Sequence, residues 1–491
     1  MTNSLVHTLT IPELATHLSL AAAPQAMRIP PRLLVLYTDR IHRLLETAQF
    51  GSLTRTRQLG FTHLVYPGAS GTRFEHSLGV YHLACRFAIK ALSFQEFAAK
   101  VKKKEIVTFL LASLLHDIGH FPFAHQIEEF LIGDFPEHDA HHGELGSLLK
   151  GHHYWGTRLI RSELSDQLRR EFGMTDKDMD NVVALISGTK RDCRGVTSLF
   201  KSLLDGVFDI DKLDYVQRDS HHCGVPYGAY IDVDRLIETM QVRSVGKGDF
   251  RLGFHRRGVG CLEQFATARH QLYANVYWHR AVRAATLMFR HWVYLLISSR
   301  NTCKQAIGAF WSERSDEALL AKLSQIAEGL HSGHNRNAAK LFYESISGGE
   351  RTLFKLLLEA PYCEANMSII GKTYPEQRRK ARFIYGELKR DGMFTSAADE
   401  LNDHNILIDC RTDRWPDFET IPIWSEQSDW SDLGRYAPMV GQLGKTFKQQ
   451  ACWIRVYVNA KVLSDRWSNK QNRQSVGQQI VKNLSMTQSI S

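Results

Sequence analysis

With 491 residues, 43% of them hydrophobic and 23% charged, the chain has the make-up of a soluble globular protein able to bury a large core, which argues against a disordered chain. No apolar run approaches the roughly 18 residues that a membrane-spanning helix needs, which argues against a membrane protein. A formal net charge of +9 fits anionic partners such as nucleotides or nucleic acid, or else an ordinary surface with a basic excess.

The first residues, Met1 to Leu20, mix polar and apolar side chains without the order of a secretory signal, so a cytoplasmic protein is expected. Residues 1–40 read as an N-terminal extension and 41–300 as a mainly helical core, with long apolar-periodic segments between short Gly, Pro and Asp breaks. Thr72-Arg73-Phe74-Glu75 has the form of a capping box, followed by Phe74, Leu78, Tyr81 and Cys85 at helical spacing. Ile106 to Leu115 is a nearly continuous apolar helix, expected to be buried on most sides and to carry His116 and Asp117 inward. Residues 301–467 read as a smaller α+β lobe: helical through Lys355, then strands at Ile406–Asp409 and Trp453–Val458 separated by a loop rich in Trp, Asp, Ser and Pro. The segment 468–491, rich in Gln, Asn and Ser, reads as a mobile tail. The eight cysteines are scattered without a CxxC pair and are expected as packed thiols.

Four pieces of sequence offer metal ligands: His76, the pair His116-Asp117, the run His120 to His125, and Asp211. Imidazole and carboxylate together suit Mn, Mg, Fe or Zn and leave the choice open. On a helix His116 and His120 share a face while Asp117 diverges by about 100°, so one ion reaches both His116 and Asp117 only through side-chain reach or a break, which Gly119 and Pro122 would supply. Singly, such a His is more often a hydrogen-bonded structural residue and such an Asp a cap. Together, at the end of a buried apolar helix, they place a charge inside the core, and a metal is the most economical partner for it.

The ordered set His76, His116-Asp117 and Asp211 resembles the H…HD…D signature of HD-superfamily phosphohydrolases. The stretches Val65-Tyr66-Pro67-Gly68 into Arg73-Phe74-Glu75-His76-Ser77-Leu78-Gly79, and Asp211-Lys212-Leu213-Asp214-Tyr215 into Arg218-Asp219, are similar to the deoxynucleoside triphosphate triphosphohydrolases of that superfamily, over residues 41 to 283. The fold class so implied is mainly α, an HD-domain helical core with the smaller α+β lobe behind it. The resemblance implies one divalent metal held by His76, His116, Asp117 and Asp211, with room for an additional magnesium on the triphosphate. It implies water attack at the α-phosphorus of a dNTP, Arg73, Lys212 and Arg269 gripping the phosphates, His125 as the acid for the departing 5′-oxygen, and His120 orienting the phosphoryl oxygens. Where the family has a His-Glu dyad this chain has His142-Gly143-Glu144.

Asp214, Tyr215, Arg218 and Asp219 share a helical stripe with Asp211 and read as ribose or phosphate contacts. By resemblance Tyr215 and Asp219 address the deoxyribose, Tyr277 with Leu59 closes against C2′, Gln58, Asn275 and His279 lie near the base, and Arg269 and Tyr273 belong to the same site. Leu272, Val276 and Trp278 read as packing. The resemblance further implies a homo-oligomer and an activating nucleotide. The vertebrate type reads guanine through D-T-P-Q-F-Q-R-L-R, and Gly51 and Thr54 in Glu46 to Thr54 lack that polar reach, so a different activator, or none, is expected. Another HD nucleotidase or phosphodiesterase, and a nucleotide- or nucleic-acid-binding effector, stay open as alternatives, as does the choice between dNTP-pool balance and antiphage dNTP depletion.

Overall fold

The computed structural model describes residues 10–18, 24–130, 134–135, 142–189, 192–347, 352–361, 371, 373–410, 415–425, 428–469 and 471. It is mainly helical with a few small sheets, as the sequence predicts. The helices that matter to the site are α1 (Arg73–Leu92), α2 (Lys103–Leu115), α3 (Ala124–Glu128), α4 (Gly151–Arg161), α5 (Ile210–His222), α6 (Val259–Leu272), α7 (Arg280–Ser298), α8 (Gly333–Ile346), α9 (Tyr374–Arg390) and α10 (Pro438–Ala451). Among the described residues no helix is long and apolar enough to cross a membrane.

Helix α2 sits at the centre because its sequence leaves it no polar face. Every residue from Ile106 to Leu115 is buried, and each large apolar side chain so enclosed contributes about 1.5–3 kcal/mol. Helix α1 and the helix Asp176–Ser187 pack against it, and α5 and α6, beyond α1, belong to the same first core. A second core is built on α7, whose residues from Val282 to Val293 are all buried, and a third lies between α9 and a three-stranded sheet.

A hairpin, β1 (Gln25–Ile29) with β2 (Leu33–Tyr37), precedes the core. Strands β3 (Met240–Ser244) and β4 (Phe250–His255) begin a four-stranded sheet, and β5 (Lys355–Pro361), β9 (Trp453–Val458) and β6 (Ile406–Cys410) form an antiparallel sheet in that order. The strands expected at Ile406–Asp409 and Trp453–Val458 are therefore neighbours, with Ile406 opposite Val458. Two details differ from expectation. Helical structure ends at Ile346, and Lys355 already opens β5. The expected loop between the two strands contains β7 (Pro422–Ser425), β8 (Ser428–Asp432) and α10. Strand β7 has only 4 residues and pairs in parallel with β4, far back in the chain, so no local alternation announces it. Through this return Trp415, Phe418, Ile423, Val440 and Phe447 join the first core. The tail beyond 471 and the first nine residues lie outside the described residues.

Arg283 of α7 ties distant parts together. It is buried, grips Asp409 of β6 through Nε and Nη2 at 2.8 and 2.7 Å, and reaches Glu129 Oε1 at 3.0 Å. Arg290 meets the other oxygen of Glu129 at 3.0 Å. The turn that follows α3 is thus fixed to both α7 and the C-terminal sheet.

Candidate metal centre and histidine cluster

Helix α2 stops at Leu115, and His116 is its C-terminal cap. The chain then turns tightly, with the Ile118 N–H donating to the Leu115 carbonyl and the His120 N–H to that of Asp117, each at 3.0 Å. His116 and His120 therefore do not share a helical face, and the break falls before Gly119, not at it. Gly119 has its own reason: a Cβ there would overlap the Gly156 nitrogen and the His152 carbonyl, so only glycine lets α4 pack this close. Phe123, in the left-handed region at φ 57°, starts α3. Its strain of about 1–3 kcal/mol is offset by burial and by a stack on Phe61 at 4.4 Å between ring centres.

Three elements now converge. Thr72 caps α1 by accepting from the Glu75 N–H at 3.3 Å, while the Glu75 carboxylate bonds His222 Nε2 at 2.9 Å in place of the reciprocal half of a capping box. One turn into α1, His76 Nε2 lies 3.2 Å from His116 Nε2, 3.0 Å from Asp211 Oδ1 on α5 and 3.9 Å from Asp117 Oδ2. His116 Nε2 is 3.8 Å from the same Asp211 oxygen and 3.5 Å from Asp117 Oδ1. Ligands about 2.1 Å from one cation lie about 3.0–3.5 Å apart at angles of 90–109°, so this spacing suits a divalent ion. His76, His116 and Asp211 form the tight group, with Asp117 at its edge, where Arg73 Nη1 holds its Oδ2 at 2.7 Å. Arg73 is buried, not a surface arginine.

The tautomers also suit a metal. His116 Nδ1 donates to the Ser113 carbonyl at 2.9 Å, which leaves a lone pair on Nε2. His76 Nδ1 donates to Asp214 Oδ2 at 2.8 Å, and Asp214 is gripped in turn by Arg218 through Nε at 2.8 Å and Nη2 at 2.7 Å. Burial works against a charge on His76, but Asp211 and Asp214 outweigh it and push its pKa up to about 10. A proton and a divalent cation thus compete for one nitrogen. Asp214 and Arg218 read in sequence as ribose or phosphate contacts; both are buried and face back to support His76. Gly79 makes room for them, since a Cβ there would overlap both.

A second cluster lies beyond Asp117. His120 and His125 face each other with Nε2 atoms 3.3 Å apart, and the His152 ring lies 3.8 Å from that of His120. Glu128 binds His125 Nδ1 at 3.0 Å and His152 Nδ1 at 2.7 Å. Burial would raise the pKa of Glu128, yet its two histidines hold it far below the ordinary range. Burial and the neighbouring Arg73 keep His120 neutral, and its buried Nδ1 has no hydrogen-bond partner. His125 is half exposed and open to a ligand. Sequence reading missed Glu128 and His152. The spacing His125 to Glu128 was a detectable signal, whereas His152 comes from another helix. The side chain of His142 lies outside the described residues.

The remaining candidates divide into two groups. Arg269 donates through Nε to the Tyr215 hydroxyl at 2.8 Å and through Nη2 to that of Tyr273 at 3.2 Å, and the Tyr277 hydroxyl donates to Asp219 Oδ2 at 2.6 Å. A π-helical turn, Tyr273–Tyr277, continues α6 and sets these tyrosines; Leu272, Val276 and Trp278 are buried as packing. Lys212 is engaged by Asp209 and by the Gly206 carbonyl at 3.2 Å. Gln58 pairs its N–H with the Gly71 carbonyl, so it and the half-buried Leu59 follow the strand-like segment that leads to Arg73. Gln58 Oε1 is buried without a partner. Asn275 is exposed, its amide donating to the Gln271 carbonyl, and His279 caps α7. Tyr66 reaches both, its hydroxyl donating to the Asn275 carbonyl at 2.8 Å and its ring meeting that of His279 edge-on.

Residues 73–195 match the HD domain and residues 231–472 the HD associated region. An uncharacterised protein of Methanocaldococcus jannaschii is 30% identical over 259 residues, 52% of this chain and 47% of that protein. The deoxynucleoside triphosphate triphosphohydrolase SAMHD1 of Homo sapiens is 29% identical over 256 residues, 48% of this chain and 39% of that protein. The chain spans about half the length of the curated relatives it matches first, 47% to 54%. A solved structure, a hypothetical protein from Aquifex aeolicus, shares the fold with a TM-score of 0.60 at 23% identity, covering 89% of this chain and 97% of that one.

Proposed function

From an HD domain with an HD associated region behind it, we propose that this chain is a divalent-metal-dependent hydrolase that converts deoxynucleoside triphosphates to deoxynucleoside and tripolyphosphate. The observation that carries the reading is Arg269. Its buried guanidinium donates to two tyrosine hydroxyls and lies over the rings of Tyr273 and Trp415, but it forms no salt bridge among the described residues and leaves Nη1 without a hydrogen-bond partner. A buried cation in this state calls for an anion, and a polyphosphate chain supplies one.

His76, His116, Asp117 and Asp211 would hold the metal, which when bound withdraws charge from phosphoryl oxygen and acidifies water. The protein's own groups supply the rest. Glu128 accepts from His125 Nδ1 and so fixes the ring with Nε2 outward, the atom from which a proton goes to the departing 5′-oxygen. His120, neutral and packed at a tilt against His152, keeps a donor beside the phosphoryl oxygens. Arg73, set by Asp117, and Arg269 flank the phosphates; Lys212 joins them by leaving Asp209. The Tyr277 ring, fixed by its bond to Asp219, closes with Leu59 on the C2′ side and excludes a ribose hydroxyl. A homo-oligomer and an activating nucleotide belong to the same reading.

The test is a screen of the four dNTPs and matching NTPs with Mn or Mg, singly and in pairs, read by tripolyphosphate release. Deoxynucleoside and tripolyphosphate from dNTPs but not NTPs are expected. Release of orthophosphate or pyrophosphate, or no turnover with any pair, would refute the reading.

A further inference from the structure

A cavity of about 600 Å³ opens between α7, α8, α9 and the turn at 402–404, formed by residues outside the metal centre and histidine cluster. Its volume falls within the range of small-molecule sites, roughly 300–1,000 Å³. Tyr374, Arg378 and Arg382 repeat every four residues on α9 and so share a face, from which the two arginines line the cavity beside His331 and His334. Asp403 is the one carboxylate among the described lining residues. It is shared, 2.6 Å from Arg378 and 3.6 Å from Arg382, whose side chain is 68% exposed. Arg378 is further held by the Ile406 carbonyl at 2.8 Å, so Arg382 is the guanidinium left for a ligand. One carboxylate between two guanidinium groups leaves positive charge uncompensated.

The wall behind is a directional hydrogen-bond chain. His404 Nε2 lies 2.9 Å from Asn335 Oδ1, an acceptor only, so that nitrogen carries the proton. His404 Nδ1 must then accept from His291 Nε2–H at 2.9 Å, and His291 Nδ1 from the Tyr374 hydroxyl at 2.8 Å. His291 is fully buried with both ring nitrogens used. With Oδ1 turned to His404, Asn335 has its amide N–H groups to offer the cavity. The lining is therefore biased toward donors and positive charge, while Tyr294, Leu295 and Leu330 provide an apolar wall.

We propose that this cavity binds the phosphate group of a small phosphorylated molecule, at a site separate from the metal centre. Arg382 meets the oxyanion at the rim beside His334, whose Nδ1 donates to the Glu400 carbonyl at 3.0 Å, Asn335 donates from within, and the apolar wall receives the organic body.

Isothermal titration of the full chain tests this in an Arg269→Ala background, which weakens anion binding at the proposed catalytic site. The probes are inorganic phosphate, tripolyphosphate and 2′-deoxyadenosine 5′-monophosphate. Saturable binding of at least one probe is expected, weakened tenfold or more by Arg382→Ala with His334→Ala and restored in part by Arg382→Lys. Equal affinity for phosphate and the nucleotide would mark a free-phosphate site; tighter nucleotide binding would mark an organic phosphate. Both rim residues are exposed, and circular dichroism verifies folding. No binding of any probe, or binding indifferent to the double substitution, would overturn the proposal.

Discussion

Replacing Asp214 by asparagine removes one negative charge from a place where two buried donors share it. Its carboxylate accepts from His76 Nδ1 at 2.8 Å and from Arg218 at 2.8 and 2.7 Å, and Arg218 is only 1% exposed. An amide keeps the shape but not the charge, so Arg218 becomes a buried cation without a counterion, for which about 3–5 kcal/mol of stability is the expected loss. The Pro30 carbonyl also receives Arg218 Nη1, which places the expectation at the lower end of that range. For the metal, loss of the carboxylate that orients a histidine ligand weakens affinity by about 10–100-fold. The assay pairs a urea melt with calorimetric titration of Mn, at a temperature where circular dichroism shows the variant folded. The same carboxylate helps hold a proton on His76, so affinity should depend less steeply on pH in the variant. A folded Asp214→Asn protein that binds Mn within twofold of the parent would show that Asp214 does not organise the centre.

Glu128→Gln should lower dNTP turnover by about 100-fold while leaving metal content unchanged, since it removes the charge and one of the two acceptor oxygens shared by His125 and His152 without touching His76, His116 or Asp211; turnover and metal analysis on one preparation check this. Gly119→Ala should cost about 1–3 kcal/mol or more by pushing α4 off the turn, read as a lowered urea midpoint. Burial, opposed by the Tyr277 hydrogen bond, raises the pKa of Asp219 to about 6 against an ordinary 3.8. Between these values the folded state holds a proton that the unfolded state has lost, so this group makes stability fall as pH rises from about 4 to 6. Asp219→Asn should remove a penalty of about 3 kcal/mol that is present at pH 7 and absent at pH 4, and the difference between the two proteins' urea melts across that range measures it. Arg283→Met should destabilise by about 3–5 kcal/mol by stripping Asp409 of its two-point partner, again by urea melt.

What the sequence revealed depended on how local each signal was. The run from Ile106 to Leu115 could only be an enclosed helix, and the strands at 406–410 and 453–458 carried enough β-branched and aromatic residues to stand out. Strand β7 was invisible because parallel pairing with β4 leaves no mark in 4 residues. At the site, residue types pointed to His76, His116, Asp117 and Asp211, and three of these converge tightly. Sequence could not tell which side of α5 faced a ligand. Asp214 and Arg218 lie one and two turns from Asp211, and helical spacing alone does not separate residues that touch a substrate from those that brace a ligand. His152 needed tertiary contact to be found, because only the Gly119–Gly156 approach brings α4 against the turn after the HD pair.

Asp117 explains why an adjacent His and Asp can serve one centre. Had α2 continued, Asp117 would have pointed about 100° away from His116. The helix instead ends at Leu115, and the turn leaves Asp117 Oδ1 3.5 Å from His116 Nε2 and 3.7 Å from His120 Nδ1, while Arg73 holds Oδ2. One carboxylate therefore borders the metal group, the histidine cluster and the buried guanidinium of Arg73 at once. Burial opposes its charge, but its pKa lies well below the ordinary range, and of its neighbours Arg73 is the one that stays charged while His120 is neutral. The histidine side of this junction is fixed from behind, since Glu128 is followed by Glu129, which Arg283 and Arg290 hold against α7. A change that lengthened α2 by one turn would separate the two clusters without altering a single ligand, which is why the end of this helix, as much as the identity of its last residues, sets the chemistry.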